Sequence, residues 1–104
     1  MSALVDLADL PAQLAEFGRG YLLTSKDGVV KAVSARARPE DDGLRVPTPG
    51  RGSVANVAAN PTVTLLFPPL TESGMSLLVD GTAVVEGDDV VITPTGAVLH
   101  KAVA

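Results

Sequence analysis

The 104-residue sequence predicts a mainly β fold, a small antiparallel barrel of six strands with two short helices. Three observations carry that expectation. Six segments from Gly20 onward read as strands, Asp27-Gly28 stands between two of them as a hairpin turn, and helical spacing is confined to two short stretches. A half-open sandwich shares this periodicity, so the pattern alone leaves both architectures open.

Leu7, Leu10, Leu14 and Phe17 recur at helical spacing and Gly18 stops the pattern, which predicts a helix over 9–17 with Asp9 as N-cap and Pro11 in the first turn. "YLLTS", the turn "KDG" and "VVKAVSARA" form the first hairpin. "PEDDG" is the next turn and "LRVP" a short third strand. In "TPGRGSVANVAAN", Ser53 fits the N-cap of a two-turn helix that Asn60-Pro61 ends. "TVTLLF" follows as a strand, then the loop "PPLTESG", then the long strand "MSLLVDGTAVVEG" with Gly81 as a bulge. In "VVITPTGAVLH", Pro94 and Gly96 interrupt the alternation and predict an edge strand or a corner.

No repeat or linker divides the chain, so residues 1–104 read as one domain. Hydrophobic residues make up 46% and charged ones 19%, which leaves little polar surface for so small a globule and predicts a homodimer. Without cysteine there are no disulfides, thiolate metal sites or cysteine nucleophiles. The first residues lack a basic n-region, and no apolar run reaches the roughly 18 residues of a spanning helix, so a soluble cytoplasmic protein without a membrane partner is expected. A net charge of −4 and only three aromatic residues disfavour nucleic acid as a partner.

The distribution of charge says more than its total. Seven of the eight basic residues fall between Arg19 and Arg51, a segment that nets +3 against four carboxylates. Alternation places Ser34, Arg36 and Arg38 on one strand face, with the two arginines about 7 Å apart, a span that suits two oxygens of one phosphate. The plainer reading is that both face water or pair with Glu40, Asp41 and Asp42. In "PGRGS", Gly50 and Gly52 admit close approach to backbone, Arg51 brings a fork of donors, and Ser53 adds a hydroxyl at a helix N-terminus. A turn and a capped helix explain every residue there except the arginine between the glycines. The segment matches neither a Walker loop nor a G-x-G-x-x-G turn. His100, the single histidine, reads as a polar residue at a strand end, and Asp41-Asp42 and Asp88-Asp89 as turn residues.

The order of elements, with Tyr21-Leu22-Leu23-Thr24-Ser25, Asp27-Gly28, Asn56, Asn60-Pro61-Thr62-Val63-Thr64-Leu65-Leu66-Phe67 and Val79-Asp80-Gly81-Thr82-Ala83, resembles the pyridoxamine 5′-phosphate oxidase-like split β-barrel family over nearly the whole chain. The resemblance implies a six-stranded split barrel, a homodimer, and a flavin mononucleotide (FMN) in each of two clefts between subunits. It implies further that Arg36 or Arg38 binds the flavin phosphate from the strand, with Arg51 and Ser53 from the loop and Thr48 near ring or phosphate. Gly52 and Ser53 stand where the family commonly has arginine and lysine, and Val98-Leu99-His100 lacks the arginine of the family's vitamin B6 site. A flavin-dependent redox protein, rather than a vitamin B6 oxidase, is therefore expected. The alternatives are a cofactor-free homodimeric binding or scaffold protein on the same barrel, and a deazaflavin (F420) or haem binder.

Overall fold

The computed structural model describes residues 1–101. The chain runs through strand β1 (Ser2–Leu4), a 3₁₀ turn (Leu7–Asp9), helix α1 (Leu10–Ala15), β2 (Gly20–Lys26), β3 (Val29–Ala35), β4 (Arg38–Glu40) and β5 (Gly43–Val46). It continues through helix α2 (Arg51–Ala59), β6 (Thr62–Phe67), β7 (Ser76–Glu86) and β8 (Asp89–His100). All pairings are antiparallel, in the order β3-β2-β6-β7-β8-β5-β4, with β1 paired to the end of β8.

Local chemistry sets the turns. Asp27 and Gly28 take φ of 53° and 78°, the left-handed pair a two-residue hairpin turn requires. The two ends of the strand order, β3 and β4, are joined by Arg36-Ala37 alone. Two residues cannot bridge a flat sheet of seven strands at about 4.8 Å spacing, so the sheet must curl back on itself. The result is a split barrel.

Its interior is one strand parity. Val33, Leu22, Leu65 and Val79 pair in succession across β3, β2, β6 and β7, and Ala97 follows on β8. Leu22, Leu65 and Val79 are fully buried, as are Leu77, Val46, Val90 and Ile92. Helix α1 adds Leu10 and Leu14 to this core, α2 adds Val57, and Phe17 packs against Phe67 with ring centroids 6.1 Å apart. Gly20 is needed where β2 enters, because a Cβ there would lie 2.6 Å from the Phe67 ring and 2.7 Å from the Leu66 carbonyl oxygen.

The described residues form eight strands, not the six expected. The additional ones, β1 and β4, are three residues each, too short to show an alternation, and Pro39 within β4 marks it as an edge strand. The bulge does lie opposite Gly81, but the extra residue belongs to β8: Gly81 pairs with Pro94 and Asp80 with Gly96, leaving Thr95 unpaired. Ile92 and Ala97, five positions apart, both point inward because Thr95 resets the parity. This is the expected corner, where the neighbour of β8 changes from β5 to β1.

The first helix is shorter than the 9–17 expected. Asp6 rather than Asp9 caps the entry, accepting from the Ala8 N–H at 3.0 Å, and a 3₁₀ turn takes the first positions. Helix α2 begins two residues before the expected cap at Ser53. Gly50, at φ 106° and ψ 161°, occupies the N-cap in a conformation that L side chains rarely adopt.

Candidate anion site at the second helix

Helix α2 is fixed from its middle. Asn56 and Asn60, one turn apart, donate through Nδ2 to Thr24 Oγ1 at 3.1 Å and Ser25 Oγ at 3.0 Å on β2. Thr24 pairs in register with Lys31 of β3, so the same contacts bring the first turn of α2 beside Lys31. Lys31 has the inward parity of Val33 and Ala35 but is exposed, on the part of β3 that overhangs the barrel. Its ammonium lies against Gly52, where any Cβ would collide with Nζ.

The electrostatics of this turn are one-sided. Arg51, Gly52 and Ser53 precede Val54, whose N–H closes the first helical bond to the Gly50 carbonyl at 3.1 Å. Their own N–H groups lie outside the helical ladder and carry the positive end of the helix dipole. A helix start is ordinarily offset by a capping side chain or a carboxylate, yet α2 has no side-chain cap and no acidic residue in its first turn. It has Arg51 and Lys31 instead, neither in an ion pair among the described residues. Ser53 Oγ is buried with no hydrogen-bond partner among them. Unpaired cations and free N–H groups converge on one turn, where an anion would neutralise them, with the unsatisfied Ser53 hydroxyl buried behind.

The approach to the helix is held by a second device. Arg45, half-buried on β5, donates to Glu40, to Glu86 at 2.6 Å and to Asp89 at 3.1 Å. These carboxylates hold its guanidinium well above the usual arginine range. Asp89 also accepts from the Thr48 N–H at 2.9 Å, and that bond, followed by Arg45, holds its carboxyl below the usual range. Thr48 sits at φ 41°, a strained setting for a β-branched residue, secured by this bond.

The five residues singled out in the sequence fall into two groups. Thr48 and Arg51 line one cavity of about 350 Å³ with Gly50, Val54 and Asp88, and Ser53 lies buried in the same turn. Arg36 and Arg38 line a separate cavity of about 340 Å³ between α1 and the barrel, with Leu14, Phe17, Pro47 and Phe67. Because β3 ends at Ala35 and β4 starts at Arg38, the shared strand face expected for Ser34, Arg36 and Arg38 is broken by the connector. Lys31 escaped the sequence reading: its charge was visible, but its meeting with Gly52 exists only in three dimensions.

No family model matches the chain. Two uncharacterized proteins, one of Mycobacterium bovis and one of Mycobacterium tuberculosis, are each 35% identical to it over 114 residues, covering 93% of this chain and 80% of the relative. Among solved structures, a Listeria innocua protein provisionally named a pyridoxamine 5′-phosphate oxidase superimposes with a TM-score of 0.77 at 16% identity, covering 92% of this chain and 98% of that one. The chain belongs to one family with the mycobacterial proteins, and its fold is the pyridoxamine 5′-phosphate oxidase-like split barrel. FAD-binding proteins of Mesorhizobium loti and Mycobacterium smegmatis share this split barrel, with TM-scores of 0.71 and 0.68 at 17% and 18% identity. Each alignment covers 97% of this chain, and 98% and 100% of the respective neighbour.

Proposed function

We propose that this split barrel binds a flavin nucleotide at the first turn of α2, as a homodimer that serves flavin-dependent redox chemistry. The observation that carries the reading is the cationic helix start, with Lys31, Arg51 and the N–H groups that open α2. These groups would hold the phosphate. A bound flavin would supply hydride and single-electron transfer, with the protein contributing orientation and a dry cleft.

Phosphate contacts alone are insufficient. Three charge-assisted hydrogen bonds give about 4.5–9 kcal/mol, against an association cost of roughly 4–15 kcal/mol. The ring therefore has to bury apolar surface, and an outward row on the sheet supports a second copy as the wall. Tyr21, Leu66, Leu78, Val98 and Leu4 are successive partners across β2, β6, β7, β8 and β1. Leu4 is 90% exposed and Tyr21 42%. At about 4.8 Å per strand the row spans roughly 19 Å, long enough to centre an isologous interface.

The names of the Mesorhizobium loti and Mycobacterium smegmatis neighbours widen the choice of nucleotide from FMN to FAD. Titrating the protein into each and following flavin fluorescence tests the reading. Saturable quenching is expected, with affinity falling tenfold or more in Arg51→Ala, the loss of one charged contact of about 1.5–3 kcal/mol. Protein indifferent to excess FMN and FAD would favour the cofactor-free scaffold, a reading that Gly52 and Ser53, in the places of the family's basic pair, keep in play.

A further inference from the structure

The cavity beneath α1 has a different chemistry from the helix start. Its walls are apolar: Leu14 and Phe67 are buried, Phe17 is tilted 54° against Phe67, and Pro47 closes one side. Its volume of about 340 Å³ lies in the range of small-molecule sites, roughly 300–1,000 Å³. Two exposed arginines, Arg36 and Arg38, are among its lining residues, and neither makes an ion pair among the described residues.

The surrounding charges leave them available. Arg45, the register partner of Arg38, is saturated by its three carboxylates. Asp89 feels the field of Arg38 without bonding it, its hydrogen bonds going to Arg45 and the Thr48 N–H. Arg19, next to the cavity residue Gly18, donates to Ser34 Oγ at 3.3 Å. The seam of the barrel thus holds a hydrophobic hole with a doubly cationic lip. Arg36 lies five positions beyond Lys31, about 16 Å along the chain, past the end of β3.

We infer that this cavity is a second binding site, for a small amphiphilic anion with an apolar body and one carboxylate or similar head. The body fills the space between Phe17, Phe67 and Leu14, and the head is shared by the forks of Arg36 and Arg38. The site stands apart from the flavin reading and survives its failure.

Octanoate and its uncharged counterpart octanamide are the probes, titrated calorimetrically against the wild-type protein. Octanoate is expected to bind one per chain, at least tenfold more tightly than octanamide. The double variant Arg36→Ala/Arg38→Ala should bring octanoate down to the level of octanamide with the thermal melt unchanged. Ala37→Phe, which narrows the cavity from the connector, should weaken both, whereas Arg51→Ala should affect neither. Equal binding of the two probes, no binding of either, or an anion preference that persists without Arg36 and Arg38 would overturn the inference.

Discussion

Gly52 separates what a residue does for stability from what it does for a ligand. Glycine in a helix costs about 1 kcal/mol relative to alanine, so Gly52→Ala ought to favour the helix. The added methyl, however, takes the space of the Lys31 ammonium, the flexible end of a side chain that moves aside cheaply. The expected outcome is a melting temperature equal to or above that of wild type together with flavin affinity reduced several-fold. A variant that melts higher and binds equally well would remove Lys31 from the site. Ser53 carries the opposite sign: its unsatisfied buried hydroxyl costs the protein about 1–3 kcal/mol.

Elements are held to one another by a few polar links, and these titrate. The Asp89 carboxyl ties β8 to β5 through Arg45 and to the approach to α2 through the Thr48 N–H. Its pKa is lower folded than unfolded, so its contribution to stability is complete above the ordinary carboxylate value near 4 and disappears as pH falls through the depressed folded value. Melting followed from pH 7 to pH 2 should show Asp89→Asn less stable than wild type at neutrality, with the difference closing below about pH 4. A gap that stays constant over that range would show the link to be independent of charge. How legible the elements were follows from their length. The Asp27-Gly28 hairpin, the stop at Asn60-Pro61 and the apolar faces of α1, β2, β6 and β7 were plain in the sequence. The strands β1 and β4 were not, since three residues carry no period, and the N-cap at Gly50 was hidden behind a serine that looked a better candidate. Of the site, Arg51 and Ser53 were readable as loop chemistry, whereas Thr48 entered only through the family resemblance. The Lys31–Gly52 contact and the separation of Arg36 and Arg38 depend on how α2 and the connector fold over, which no local pattern encodes.

At the scale of the whole molecule, the homodimer proposal rests on the outward apolar row. Leu78 lies at its middle, half-buried and pointing away from the core formed by Leu77 and Val79. Leu78→Lys is therefore expected to leave the fold intact while converting the proposed dimer into a monomer in sedimentation equilibrium at micromolar concentration, since a lysine buried at the centre of such an interface has no partner. If wild type itself sediments as a monomer at high concentration, the homodimer proposal fails. The barrel also depends on the phase of a single strand. Thr95 is the surplus residue of β8, so its deletion would keep that phase: Pro94 and Gly96 would become consecutive and still meet Gly81 and Asp80, and Ile92 and Ala97, then four positions apart, would both still face inward. What such a deletion would remove is the bend itself, at the point where β8 leaves β5 and takes up β1.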